Sequence, residues 1–217
     1  MAKQTKPTKD FIIELYMKNV LSNGKPKSIY VFAKDNGFEE SDFYAHFGTF
    51  DALETAIFST FFDNTIQTLE KSKEYQNYNA KEQLLSFYFT FFGNLTANRS
   101  YVVEALQVSN NKLGSLKILQ GLRRKFLDYI DQLDIDVAQI KNKHLDEVKD
   151  RVVFETYWIQ MAAILKFWLD DSSAEFEKTD IFIEKSIVAS FELIETRPLK
   201  SVIDLGKFLF KEKIGVR

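Results

Sequence analysis

Between Lys25 and His46 the chain gathers side chains that suit two kinds of contact. Lys25, Lys27, Ser28, Tyr44 and His46 carry N–H or O–H groups that can donate to phosphate oxygens. Glu40 and Asp42, with Ser41 between them, stand where a carboxylate can accept a hydrogen bond from the N4 amino group of a cytosine. This is chemistry of recognition rather than of bond making. Elsewhere the chain offers little for catalysis. His144 lies in "KNKHLDEVKD" with neither a nucleophile nor a second ligand in sequence reach. Asp170 and Asp171 are adjacent, so on a helix they face different directions and make a poor acid–base pair. Cysteine is absent, and His46 and His144 are the only histidines, which excludes disulfides, thiol nucleophiles and cysteine-based metal sites. With no glycine-rich phosphate loop either, the expectation is a protein that is not an enzyme and carries no cofactor or metal.

Short elements must position those contact residues. Phe11, Ile12, Leu15, Tyr16 and Val20 recur at helical spacing, and "SNGKP" (22–26) stops that helix with a glycine just past its end. Ser28 is placed to cap a second helix that carries Ile29, Phe32 and Ala33. "DNG" (35–37) reads as a tight corner in which Gly37 takes a positive φ. A third short helix holds Phe43, Tyr44 and Phe47, and Asp51 or Thr49 caps a long fourth with Leu53, Ile57, Phe61 and Leu69. After a polar break at 71–80, helices are expected over 81–95, from 98–100 onward, and over 116–133, 143–169 and 175–195. "SNNKLGS" (109–115) is a loop, and a last helix runs from about 199 to 212.

The chain is 45% hydrophobic with a net charge of −2, an ordinary globular composition that by itself favours no partner. Phenylalanine stands out, with 21 copies against 3 prolines and 8 glycines, so breakers are few and the expected class is all-α. Charge is distributed unevenly. Residues 1–34 carry +5, including the tail lysines Lys3, Lys6 and Lys9, whereas residues 35–54 carry −6 with no base at all. Arg99 is the first arginine, so the commonest guanine-reading side chain is missing from the N-terminal part. No apolar run approaches bilayer length and the N-terminus has no apolar signal core, which points to a cytoplasmic protein.

Two short helices joined by a glycine corner behind a supporting helix form a helix-turn-helix arrangement. Residues 27–58 resemble the N-terminal domain of the TetR/AcrR family of bacterial transcriptional regulators, through Phe32-Ala33, Gly37, Phe38, Phe43-Tyr44, Phe47 and Leu53. The resemblance implies a homodimer with a DNA-binding head (residues 1–50) and a larger helical ligand-binding and dimerisation body (51–217). It also implies a palindromic double-stranded DNA operator and a small-molecule effector. Lys27, Ser28, Tyr44 and His46 would then meet phosphates, and Glu40, Ser41 and Asp42 would lie near base edges. Two positions depart from the pattern: Phe50 stands where relatives carry a phosphate-binding Lys, and Ala45 where they often carry Arg or Lys. A second resemblance covers residues 167–187, "FWLDDSSAEFEKTDIFIEKSI", which is similar to the TetR-like lipid-binding accessory proteins of ubiquinone biosynthesis. The same "DSS" also reads as a plain capped helix start.

The body offers two further sets of residues. Phe87, Tyr88, Phe91, Phe92 and Tyr101 either line an aromatic cavity for a hydrophobic effector or fill a solid core. Trp158, Met161, Leu165 and Trp168, with Ile183, Ile187, Phe191 and Ile194, form two apolar seams. Through the resemblance these are the dimer interface, while by spacing alone an intrachain seam fits equally. The C-terminal helix carries Lys200, Lys207, Lys211 and Lys213 beside Leu199, Val202, Leu205 and Phe208, so it could lie on an anionic membrane surface. Packing on the body with its lysines in water is the favoured expectation.

Overall fold

A computed structural model describes residues 6–107, 117–133, 135 and 143–195. The expected loop at 109–115 and the basic helix at 199–212 lie outside these residues. The fold is all-α. Its helices are α1 (Lys9–Asn23), α2 (Ile29–Asp35), α3 (Glu40–Tyr44), α4 (Phe50–Glu70), α5 (Ala80–Ala97), α6 (Arg99–Gln107), α7 (Gln120–Gln132), α8 (Lys143–Asp170) and α9 (Glu177–Glu195). They group into two compact units, Met1–Gln67 with Phe91–Lys125, and Thr68–Thr90 with Phe126–Arg217.

Local signals set the helix ends of the first unit. Thr8 Oγ1 accepts from Phe11 N–H at 3.2 Å and opens α1, and Gly24 at φ +77° closes it by donating its N–H to Val20 at 3.0 Å. Ser28 Oγ accepts from Val31 N–H at 3.2 Å, as the sequence suggests. Gly37, at φ +74°, turns the chain from α2 toward α3. Of the two candidate caps on α4, Thr49 takes the role, accepting from Ala52 N–H at 3.1 Å, while Asp51 pairs with Lys117. α3 is shorter than its apolar spacing suggests. It ends at Tyr44, and Phe47 lies just beyond, its N–H donating to the Phe43 carbonyl at 2.9 Å.

An aromatic cluster forms the core beneath α1–α3. Phe32 and Phe43 meet edge to face at 6.3 Å between ring centres, and Phe50 lies 5.3 Å from Tyr16, 5.9 Å from Phe32 and 5.5 Å from Phe43. The departure at position 50 therefore has a packing reason, since the ring fills the space between three others. Elsewhere in this unit α7 crosses α4 without clearance. A Cβ on Gly121 would stand 2.3 Å from Ser59 Oγ and 3.3 Å from the Thr55 carbonyl oxygen.

In the second unit, Phe87 stacks on Tyr129 at 4.8 Å and lies 5.6 Å from Phe126. The "DSS" segment joins α8 to α9 through an unusual turn. Asp171 Oδ1 accepts from the Ser173 N–H (2.9 Å) and hydroxyl (2.7 Å), and Oδ2 from the Thr179 N–H (3.0 Å) and hydroxyl (2.7 Å). Those four bonds hold a turn in which Glu175 and Phe176 both sit at positive φ, 52° and 60°, which side chains rarely adopt. This bend delays the start of α9 to residue 177 from the expected 175, and it brings Phe176 within 6.1 Å of Trp168.

Partial burial pushes the Asp171 carboxyl up, but the bonds from Ser173 and Thr179 more than reverse this and hold it well below the usual carboxylate range. An unfolded aspartate titrates near about 3.9. A group lowered by folding contributes stability that is present above that value and is lost as pH falls toward the folded one. Urea midpoints of the intact protein should therefore fall as pH drops from about 5 to 3. In Asp171→Asn the midpoint should be lower at pH 7 and the acid-dependent fall smaller. An unchanged fall would show that this carboxylate does not govern it.

Candidate functional site

The outer side of α2 and α3 carries the residues singled out for nucleic acid, and several already have partners. Lys27 is exposed just ahead of α2. Ser28 uses its oxygen as the α2 cap, which leaves its hydroxyl hydrogen free to donate. The exposed Tyr44 hydroxyl donates to Glu40 Oε1 at 3.2 Å, one turn back on α3. Asp42 Oδ2 accepts from the Glu39 N–H at 3.3 Å, so it fixes the start of α3. Ser41 is exposed. His46 is held from the far end of the segment, with its Nε2 3.0 Å from the Pro7 carbonyl, which ties the N-terminal tail to the end of α3. The chain thus brings Glu40 and Tyr44 into contact and gives Asp42 and His46 structural work.

Charges on this face are fewer than the sequence count suggests. Glu54 is buried, and its Oε1 accepts from the Tyr16 hydroxyl at 2.5 Å and pairs with Lys25 Nζ at 2.6 Å. Lys25 is therefore committed to α4. Burial, and then the hydrogen bond to Glu54, raise the Tyr16 hydroxyl far above its ordinary range, so it remains a donor. Lys117 donates to Asp51 at 2.9 Å and lowers that carboxyl, leaving Asp35, Glu39, Glu40 and Asp42 as the exposed or half-exposed acids without a cation partner among the described residues. The role of Glu54 escaped the sequence reading, which counted it only within the −6 of residues 35–54. A signal was present: Leu53, Glu54, Ile57, Phe58 and Phe61 follow one helical stripe, and all five are buried.

The five aromatic residues proposed around a ligand are all buried, and they divide between the units. Phe87 and Tyr88 belong to the second, and Phe91, Phe92 and Tyr101 to the first. On α8 the Tyr157 hydroxyl and Gln160 Oε1 are buried without a hydrogen-bond partner among the described residues, and Tyr157 lies near enough to Tyr88 to interact with it. Periodicity could not single out these two atoms, because both residues fall on an apolar face.

For the seams on α8 and α9, the structure takes the intrachain arrangement. Met161, Leu165 and Trp168 of α8 and Ile183, Ile187 and Phe191 of α9 are buried within the one chain. Trp158 is half-buried with its ring 6.5 Å from Phe126, and Ile194 lies in the last turn of α9. A different stripe faces outward, with Ile159 65% exposed and Ile181 50% exposed, and with Phe167 stacked on Phe182 at 4.7 Å. Among the described residues no group of three His, Cys, Asp or Glu side chains could hold a metal, and no helix is long and apolar enough to cross a membrane.

A family model described as "Tetracyclin repressor-like, C-terminal domain" matches residues 83–209, more than half of the chain. The protein belongs to this TetR-like family. No curated protein matches it. The matched span starts within α5 and so lies wholly outside α1–α4.

The Glu54 cluster gives a measurable expectation for the head. Lys25→Ala leaves a buried carboxylate one donor short and should destabilise the protein by about 1–3 kcal/mol. In a Glu54→Gln background, where no charge needs compensation, the same substitution should cost much less. Additive losses in urea unfolding would show that the two side chains act independently.

Proposed function

We propose that this protein is a DNA-binding transcriptional repressor that responds to a hydrophobic small molecule and acts as a cytoplasmic homodimer. Residues 1–50 form its DNA-binding head and residues 51–217 its ligand-binding and dimerisation body. The observation that carries the reading is the α2–Gly37–α3 corner, fixed from below by the Phe32–Phe43–Phe50 cluster and exposing Lys27, Ser28, Ser41 and Tyr44. In this reading α3 enters the major groove. Lys27, Ser28, Tyr44 and His46 hold phosphates, and Glu40, Ser41 and Asp42 lie at base edges. The effector is held either by Phe87 and Tyr88 of the second unit, with Tyr157 as a polar handle, or by Phe91, Phe92 and Tyr101 of the first. It acts by favouring one spacing of the two heads over another.

One observation supports a second reading. No Lys or Arg stands on α3, and Lys25 is spent on Glu54. A lipid- or hydrophobe-binding protein on the same TetR-like frame, with a silent head, accounts for that directly. Selection of fragments from a random double-stranded DNA pool, at low and at moderate salt, separates the two. The repressor should enrich a palindrome, and Tyr44→Ala should weaken binding to it by roughly tenfold. Folded dimeric protein that enriches nothing even at low salt would overturn the repressor reading and turn the search to a ligand of the helical body.

Dimerisation is proposed along the outward stripe of α8 and α9 rather than the buried seams, because exposed apolar side chains are the ones a second copy can cover. Ile159→Glu should convert the dimer to a folded monomer in sedimentation, with the helical circular dichroism retained. A dimer that survives both this and Ile181→Glu would place the interface elsewhere.

A further inference from the structure

α1 and α4 leave between them an open groove of about 500 Å³ that is distinct from the aromatic residues assigned to the effector. Ile13 and Met17 of α1 and Ile57 and Phe61 of α4 supply apolar walls, and its volume lies in the range of small-molecule sites. The Thr60 hydroxyl donates to the Ala56 carbonyl (3.0 Å), the Asn94 amide nitrogen to Thr65 Oγ1 (2.9 Å) and the Asn98 amide nitrogen to the Asn94 carbonyl (3.0 Å). Those bonds use donors on the groove's own residues. What stays without a partner among the described residues is the Asp10 carboxylate, together with the side-chain oxygen and the second amide N–H of Asn94 and of Asn98. The one cation, Lys18, is held 2.6 Å from Glu14 Oε1 on the same helix, so the acids outnumber it by one.

We propose that this groove is a binding site for a lipophilic amine, protonated at neutral pH, whose ammonium group meets Asp10 and Glu14 while its apolar part lies along Ile13, Met17, Ile57 and Phe61. An ammonium group is a cation, the complement of a lining whose carboxylates outnumber its one lysine. A carboxylate of the same shape meets like charge, and an alcohol gains no Coulombic attraction. Bound between α1 and α4, the amine would also stabilise the first unit by mass action. The proposal does not depend on DNA binding, and the experiment contains no DNA.

Calorimetric titration with three probes of one shape tests it: 4-phenylbutylamine, 4-phenylbutanol and 4-phenylbutyrate. The amine should bind, the alcohol should bind at least tenfold more weakly, and the carboxylate should not bind. Amine affinity should fall with added salt. The surface variant Asp10→Asn/Glu14→Gln should lose roughly tenfold for the amine and little for the alcohol. Lys18→Gln should act in the opposite sense, raising the amine-to-alcohol ratio severalfold, a gain that misfolding cannot produce. Equal binding of amine and alcohol, no binding of the amine, or an unchanged ratio in both variants would each overturn the assignment.

Discussion

A carboxylate removed from water needs partners, and Glu54 finds two that are distant in sequence. Tyr16 reaches it from the middle of α1, and Lys25 reaches it from the segment that joins α1 to α2. One oxygen atom therefore fixes how α1 lies on α4 and where the chain leaves α1 for α2. The aromatic cluster follows from that placement, because Tyr16 also packs against Phe50 and Phe32. Hydrophobic contact alone is tolerant of small slides and rotations, whereas a donor–acceptor set with defined angles is not. In this head the polar cluster supplies geometry and the phenylalanines supply most of the driving force.

The same arrangement reshapes the electrostatics of the outer face. Two of the acids between residues 35 and 54 are paired, Glu54 with Lys25 and Asp51 with Lys117, and Asp42 closes the first turn of α3. The surface that remains is weakly acidic and rich in hydroxyl and aromatic groups: Ser28, Tyr30, Ser41 and Tyr44. A polyanion approaching it would gain little from counterion release and would depend on directional hydrogen bonds. Such a face favours close fit over long-range attraction.

Much of the fold was legible because its signals are local. Ser28, Gly24 and Gly37 act within a few residues of where they stand, and their roles can be read from type and position. The all-α class followed from the scarcity of glycine and proline. What could not be read was the choice of partner. Helical spacing shows that Met161, Leu165 and Trp168 share a face, but a neighbouring helix of the same chain and a second copy would select the same spacing. The aromatic residues of α5 are a similar case: their density marks burial, and one helix serving two compact units was not visible in it. The turn at 174–176 was unreadable for another reason. Positive φ at Glu175 and Phe176 runs against residue preference and is imposed by Asp171 through four hydrogen bonds. In the candidate site, residue types were informative, whereas the occupation of Asp42, His46 and Lys25 by other parts of the chain was not.

The crossing of α4 and α7 bears on ancestry as much as on packing. A β-carbon at position 121 would require the Ser59 hydroxyl to turn away and would still crowd the Thr55 carbonyl oxygen at 3.3 Å, so the close approach of the two helices rests on an atom that is missing. Homologues that preserve this approach do so most simply by keeping glycine at 121, since a larger residue there needs adjustment at both 55 and 59. A small residue at 121 is thus a mark of helix spacing, written into the sequence as a side chain left out.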